Sequence, residues 1–207
     1  VADVMRGVHM ARYFNPATPD GQRLVAGITS FLWAGCGYGG SCLPKDAKAL
    51  SAHGAAHGMP MPLLDAVIAT NLAQPRRMLD LLHRHFPSLA GVRVALLGLA
   101  FKEDTDDMRE SPAIALSQLL LERGAQVLGY DPIARETARA ALPAQVQLVD
   151  SLAEAVSDAD ALLLVTRWTQ FRQLPALLAG MKTPPVLVDG RRVIEPSTVP
   201  RYEGIGA

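Results

Sequence analysis

The sequence predicts an α/β protein in which a Rossmann-like parallel sheet follows a helical region. From residue 89 onward, short apolar runs of strand length alternate with segments of helical spacing, a pattern typical of a parallel sheet with crossover helices. Residues 1–88 lack that alternation and contain helical patterns around a glycine-rich stretch. We therefore expect two units, residues 1–88 and residues 89–207.

The first unit is predicted to contain two helices with irregular backbone between them. Residues 1–14 have helical character, and the turn-forming residues that follow end this helix. Residues 63–86 predict a long helix that Pro62 begins and Pro75 kinks. We expect its apolar stripe to pack against a second copy of the chain, because one helix and a glycine-rich loop cannot cover it. The stripe consists of Leu64, Val67, Ile68, Leu72, Met78, Leu79 and Leu82.

The second unit begins with a predicted buried strand over residues 92–98, followed by a clearly bounded helix. Ser111 is the expected N-cap, Pro112 the first-turn proline and Gly124 the residue that ends the helix. Ligands of such sheets lie beyond the carboxyl ends of the strands, which makes the segments after them candidate sites. Further strands are predicted at 126–130, 146–149, 161–165 and 186–189, with helices near residues 136, 152 and 171.

Composition excludes several classes of protein. The 207 residues are 49% hydrophobic and carry 20 basic and 20 acidic residues, so no overall charge attracts nucleic acid or an anionic membrane. The two cysteines, Cys36 and Cys42, are too few for a disulfide framework or a zinc site, which favours a reducing, cytoplasmic location. No apolar run is long enough to cross a membrane. Because the chain begins with Val1, we expect a preceding segment.

The most informative segment is residues 37–46, in which a thiol follows several glycines and precedes an amine and a carboxylate. Glycines permit close approach of a ligand, and an ammonium such as Lys45 favours the reactive thiolate of Cys42. Asp46 could then handle a proton or a water molecule. Alternatively, Cys42 is a small buried residue and its charged neighbours are surface groups.

The loop after the first predicted strand is long and charged. It places Lys102 and Arg109 before a helix whose free amides favour anions, so a nucleotide diphosphate would suit this position. The alternative is a solvated charged loop. After the second strand, Asp131 stands where an acid could bind a ribose, although an aspartate before proline more often forms a turn.

Residues 37–46 closely resemble the catalytic-cysteine motif of the UDP-glucose/GDP-mannose dehydrogenase family. Four further matches follow in the family's order and cover nearly the whole chain. They are Asn71 with Gln74, residues 98–102 through 105–112, residues 130–132, and residues 189–191.

This resemblance implies roles for particular residues. Cys42 and Asp46 would be catalytic, and Cys42, Lys45 and Arg109 would face NAD. The sugar nucleotide would contact Gly37, Tyr38, Gly39, Phe101, Lys102 and Arg191, with Gly40 beside them. Arg192 is expected to be a surface residue.

The resemblance also implies a reaction: a four-electron oxidation of the C6 alcohol of a nucleotide sugar to a carboxylate with two NAD⁺, through a thiohemiacetal and a thioester on Cys42. UDP-glucose is the expected substrate, and GDP-mannose remains open. A homodimer is expected, and the family's N-terminal NAD-binding domain has no counterpart in these residues. Two other hypotheses are a sugar-nucleotide-binding or regulatory module and a dimer scaffold, neither of them catalytic.

The sequence departs from the family at several positions. Ala26-Gly27-Ile28 stands where the family has Arg-Ile-Gly, so a substrate arginine has no match, and nearby Arg23 is not assigned its role. Arg167 replaces the glutamate of the family's Thr-Glu-Trp, which suggests a different base preference. Cys36 and Pro75 are also unexpected at their positions.

Overall fold

The computed structural model describes residues 2–11, 16–22 and 34–206. Helical segments dominate the first part of this region, and a sheet with flanking helices forms the second. The helices are α1 (Ala2–Met10), α2 (Cys42–Ala56), α3 (Pro62–His83), α4 (Pro112–Glu122), α5 (Arg135–Ala141), α6 (Leu152–Ser157) and α7 (Leu174–Ala179). The strands are β1 (Arg93–Leu97), β2 (Gln126–Tyr130), β3 (Gln147–Leu148), β4 (Ala161–Leu164), β5 (Val186–Asp189) and β6 (Tyr202–Gly204).

The six strands form one parallel sheet, which confirms the predicted fold class. Their order is β3-β2-β1-β4-β5-β6, so the chain runs outward from β1 in one direction and, after crossing back to β4, in the other. The loops after β1 and β4 therefore diverge and leave a crevice between them at the carboxyl edge of the sheet. Strand β6 was not predicted, because its three residues include a glycine and lack a strand-length apolar run.

The predicted N-cap and helix-terminating residues set the bounds of α4. The Ser111 hydroxyl accepts a hydrogen bond from the Ala113 amide, and Pro112 is the first helical residue. After the helix, Gly124 has a φ of +77°, a conformation that disfavours residues with a side chain. The amino-terminal helix is also present, although residues 1 and 12–14 of its predicted span lie outside the described residues.

Helix α2 was not predicted, although the sequence contains signals for it. An alanine-rich segment follows Cys42, Pro44 lies in the first turn, and Gly58 stands just beyond the end with a φ of +70°. The glycines before Cys42 indicate only an irregular loop, which hid the start of the helix. The consequence is functional, because Cys42 becomes the first residue of a helix.

The apolar stripe of α3 divides into two parts. Met78, Leu79 and Leu82 are buried in the core of the chain's own sheet unit, so the prediction that the whole stripe packs on a second copy was wrong. Here α3 packs against α4 and β5. The amino-terminal half behaves differently, because Val67 and Leu72 are exposed.

Apolar residues cover both faces of the sheet. One cluster packs α3, α4 and α5 against one face, and the other packs α6 and α7 against the opposite face. The central strands β1 and β4 are almost entirely buried, as expected for parallel strands covered on both sides. Among the described residues, none of the helices has the length and apolarity needed to span a membrane.

Candidate functional site

Two cavities adjoin the glycine-rich loop at the carboxyl edge of the sheet. The first, of about 730 Å³, is lined by that loop, by α3 and by the segments after β1, β4 and β5. The second, of about 620 Å³, is lined by the same loop, by α3 and by the start of α4. Gly37, Tyr38 and Asn71 line both cavities, so one loop separates two adjacent spaces.

Close packing explains why the loop contains glycine at positions 39 and 40. Both residues are buried, and the Gly40 amide donates a hydrogen bond of 2.8 Å to the Arg109 carbonyl oxygen. A methyl group at Gly39 would overlap the Glu110 backbone, and one at Gly40 would lie 2.8 Å from the Phe101 ring. Gly40 also has a φ of +86°. The glycines thus let the cysteine loop lie directly on the loop that follows β1.

Cys42 follows this loop as the exposed first residue of α2. Its neighbours Leu43 and Ser41 line the first and the second cavity, respectively, whereas Cys42 lines neither.

Two cations lie near the thiol. The hydrogen bond that Lys45 donates to Asp46 raises the pKa of Lys45, and the charge of a Cys42 thiolate raises it further. The pKa of Arg109 is likewise raised, first by its hydrogen bonds to Asp107 and also by Cys42. Asp46 is exposed, accepts a hydrogen bond of 2.5 Å from Lys45 and lines neither cavity. The predicted catalytic and cofactor-facing residues are therefore neighbours, with Lys45 and Arg109 lining the second cavity.

Six of the predicted substrate-binding residues line the first cavity, whereas Gly40, expected beside them, lines the second. They come from three separate parts of the chain, and the fold brings them together: Gly37, Tyr38, Gly39, Phe101, Lys102 and Arg191. The Lys102 ammonium nitrogen lies 5.9 Å from the centre of the Phe101 ring. The structure thus places these residues around one space.

Three cations in this cavity lack an acidic partner among the described residues. In the described part of the chain, no carboxylate lies within ion-pair distance of Lys102, Arg167 or Arg191. Several cations elsewhere do have such a partner, as Lys48 has Glu110 at 2.9 Å. Unpaired cations that converge on one cavity are typical of an anion-binding site.

Arg191 is held in place by four neighbours. Its Nε donates to the Val165 carbonyl oxygen at 2.6 Å, and its amide donates to Asp189 Oδ1 at 2.8 Å. Its own carbonyl accepts a 2.9 Å hydrogen bond from Arg167. Gly35 lies beneath the guanidinium, where a Cβ atom would be 3.1 Å from one terminal nitrogen.

Asp189 organises the turn that carries Arg191. Its second oxygen, Oδ2, accepts hydrogen bonds from the amides of Val193 and Ile194 at 2.8 and 2.9 Å. Burial raises the pKa of this carboxyl group, although the amides that it accepts from lower it in part. The next residue, Arg192, was expected at the surface, but this was wrong: it is half-buried and donates to the Ile205 and Gly206 carbonyls.

Asp131 acts as the centre of a hydrogen-bond network. Oδ2 accepts from the amides of Leu99 and Ala100 and from the Trp168 indole, at 2.7, 3.2 and 3.2 Å. Oδ1 accepts from the amides of Ile133 and Ala134 at 3.0 and 2.9 Å. Because the buried carboxylate already has five donors, the geometry favours the turn-forming alternative over a ribose contact. Asp131 joins the loops after β1, β2 and β4 behind the first cavity.

The structure also accounts for Cys36. It is fully buried, its amide donates to the Gly190 carbonyl at 3.0 Å, and a Cβ atom at Gly190 would lie 3.0 Å from its sulfur. Burial raises the pKa of this thiol, so the thiolate is disfavoured. A small side chain is therefore needed where the glycine loop meets β5. The departures at Arg23 and at residues 26–28 lie outside the described residues.

Two family models match this chain along most of its length. The central domain of the UDP-glucose/GDP-mannose dehydrogenase family matches residues 2–73, and the UDP-binding domain of the same family matches residues 95–196. This chain belongs to that family. The family resemblance deduced from the cysteine motif is thus confirmed.

Individual members of the family agree with this assignment. A UDP-glucose 6-dehydrogenase of Haloferax volcanii is 48% identical over 166 residues, which cover 80% of this chain and 38% of the relative. A UDP-glucose 6-dehydrogenase of Pseudomonas aeruginosa is 43% identical, with 86% of this chain and 42% of the relative covered. The chain therefore spans about two fifths of the curated relatives that it matches.

A solved family structure supports the arrangement of the fold. The UDP-glucose dehydrogenase of Pyrobaculum islandicum superimposes with a TM-score of 0.81 at 34% identity, over 98% of this chain and 43% of that one. Both the helical part and the sheet of this chain therefore have a counterpart in a family member.

Proposed function

We propose that this chain forms the substrate-binding and thiol-bearing part of an NAD-dependent nucleotide-sugar 6-dehydrogenase. The observation that carries the proposal is the cavity at the sheet crevice, which combines unpaired cations with a glycine loop leading to an exposed cysteine at a helix start. The names of the relatives support the same activity. A dinucleotide-binding domain of the family would complete the enzyme.

The first cavity is proposed to hold a UDP-sugar, with UDP-glucose favoured. Lys102 and Arg191 would neutralise the diphosphate, because their charges have no acidic partner among the described residues. The backbone of Gly37, Tyr38 and Gly39 would lie along the hexose, where the two glycines leave room for the ligand. Phe101, whose ring lies against Gly40, would contact the ligand beside this loop.

Cys42 is proposed to act as the nucleophile. Once the C6 alcohol has become an aldehyde, the thiolate sulfur would attack the carbonyl carbon, forming a carbon–sulfur bond, and the oxygen would take up a proton. Oxidation of this thiohemiacetal would leave a thioester. Water would then add to the thioester carbonyl, and the carbon–sulfur bond would break to release the carboxylate and the thiol. Asp46 is proposed to handle the proton of that water.

The second cavity fits the cofactor side of such a reaction. NAD⁺, when bound, supplies the two-electron acceptor for each oxidation. Lys45 and Arg109 line this cavity near Cys42 and would bind negatively charged or carbonyl groups there. Both side chains are exposed; Lys45 pairs with its exposed neighbour Asp46, and Arg109 pairs with the partly buried Asp107, so a bound anion would share these cations with the two carboxylates.

The chain is also proposed to form a homodimer through the amino-terminal half of α3. The exposed residues Leu63 and Leu72 are 80% and 65% accessible in the single chain, and Leu43 and Leu50 on α2 are similarly exposed. Apolar side chains in such number on neighbouring helices are typical of an interface. Light scattering at micromolar concentration should give twice the mass of the chain, and a monomer would contradict this assembly.

Binding and turnover test the proposed function separately. The chain should bind UDP in calorimetry, Lys102→Ala should weaken the binding, and raised salt should weaken it further. GDP binding without UDP binding would overturn the choice of substrate. The chain alone should not reduce NAD⁺, whereas the chain joined to a dinucleotide-binding domain of the family should do so with UDP-glucose. Persistent UDP-glucose binding without turnover in that fusion would favour a non-catalytic binding module.

The proposed role of Cys42 has its own test in the same fusion. Cys42→Ser substitutes a weaker nucleophile, so formation of the acid should fall by several orders of magnitude while a slow first oxidation persists. Rapid-quench analysis with mass spectrometry should detect the sugar on the wild-type thiol. If the serine variant makes the acid at the normal rate and no adduct occurs, Cys42 is structural.

A further inference from the structure

Arg167 occupies a position where the fold itself favours an anion. It is the third residue after the end of β4, and Lys102 lies in the loop after β1, so the two cations lie on opposite sides of the crevice where the strand order reverses. Ligands of doubly wound sheets bind at this crevice. Arg191, after β5, completes a group of three cations from three adjacent strand ends.

The contacts of Arg167 leave most of its guanidinium available. Its NH2 group donates to the Arg191 carbonyl at 2.9 Å, which fixes the side chain beside that residue. Within the described residues, no carboxylate pairs with it. Glu103 and Asp104 line the same cavity, but neither lies within ion-pair distance of Arg167. A half-buried guanidinium without a counter-ion leaves a charge that a ligand can neutralise.

We propose that Arg167 is a specificity-determining residue of the substrate site and binds the diphosphate of the nucleotide sugar together with Lys102 and Arg191. Because the motif to which it belongs otherwise has glutamate here, this chain has a positive charge where the resemblance indicates a negative one. An arginine in place of this glutamate would make nucleotide binding depend more strongly on phosphate charge. This inference rests on the proposed nucleotide-sugar site.

Calorimetry with uridine, UMP and UDP tests this role, because the three ligands share a base and differ in phosphate charge. Arg167→Gln in the 207-residue chain should weaken UDP binding roughly tenfold, as expected from the loss of one charge-assisted hydrogen bond. It should weaken UMP binding less and leave uridine binding unchanged. The ratio of UDP to uridine affinity should therefore fall, which a general loss of structure would not produce.

Arg123→Gln is the matched control. Arg123 follows α4, at the opposite end of that helix from the cavity, and its exposed side chain donates only to the Leu119 carbonyl among the described contacts. The control removes the same charge but should leave the UDP to uridine ratio unchanged.

The possible failures differ from one another. If the wild-type chain does not bind UDP, the proposed nucleotide site and the proposed role of Arg167 are both wrong. If the chain binds UDP and Arg167→Gln binds it equally well, only the proposed role of Arg167 is wrong. An equal loss for uridine and UDP would mean that Arg167 merely supports the Arg191 loop, which also overturns the proposal.

Discussion

Asn71 holds the backbone of Tyr38 through both ends of its amide group. Its Oδ1 accepts the Tyr38 amide at 2.7 Å, and its Nδ2 donates to the Tyr38 carbonyl at 3.0 Å. A side chain of the long helix thereby fixes the middle of the glycine loop. Gly37 lies so close that a Cβ atom there would be 3.0 Å from the Asn71 oxygen.

This pairing predicts a loss of sugar recognition when Asn71 is replaced. Asn71→Ala removes both hydrogen bonds, at a cost of about 1–3 kcal/mol, and releases the loop proposed to line the hexose. UDP-glucose should then bind more weakly, while UDP, which does not reach that loop in our proposal, should bind as before. Calorimetry with both ligands measures the difference.

Arg76→Ala, an exposed substitution on the same helix, provides the control for Asn71→Ala. Equal weakening of UDP and UDP-glucose by the Asn71 variant would show that the loop supports the whole site rather than the sugar end.

The packing of Gly40 predicts a destabilisation larger than backbone conformation alone produces. In Gly40→Ala, the alanine would have to adopt a left-handed φ of +86°, and its Cβ atom would lie 2.8 Å from the Phe101 ring. Gly58 has a similar φ of +70° but open space around it, so Gly58→Ala should cost only about 1–2 kcal/mol. Urea unfolding should give a greater loss for Gly40→Ala, and equal losses would mean that the contact with Phe101 relaxes without cost.

The two thiols should differ in reactivity. Cys42 is exposed at the start of a helix, whereas Cys36 is fully buried and its pKa is raised by burial. Brief treatment of the native chain with iodoacetamide should therefore add one label, located at Cys42 by peptide mass spectrometry. Cys42→Ser should remain unlabelled when native and take up one label in urea. Rapid labelling of native Cys36 would contradict the packing of Cys36 against Gly190.

The Asp107–Arg109 pair predicts a particular pH dependence. The hydrogen bonds from Arg109 hold the pKa of Asp107 below its usual range. Since a lowered folded-state pKa means that the charged form is favoured by folding, any stabilisation from this pair is present at neutral pH. It is lost as the pH falls through the lowered pKa. Carboxyl NMR titration should find the low midpoint, and Arg109→Gln should return it towards the ordinary value; an unchanged midpoint would mean that the pair does not persist in solution.

The sequence by itself determined the sheet unit and predicted the residues that are proposed for the site. Strands β1, β2, β4 and β5 could be predicted because buried parallel strands form short apolar runs, and α4 because Ser111, Pro112 and Gly124 mark its ends. The cysteine motif identified the family, since the glycines, the thiol, the amine and the carboxylate are close together in the sequence. These features are local, so their signals lie within a few residues.

Only the tertiary structure decided how distant residues act together. That Asp131 supports three loops rather than facing a ribose depends on Trp168 and Leu99, which approach it only after the sheet has formed. The apolar spacing in α3 predicted an apolar face but not the surface that packs against it, because helical periodicity defines a face and not what covers it. The lack of an acidic partner for Arg167 likewise depends on where every described carboxylate lies, which no local pattern specifies.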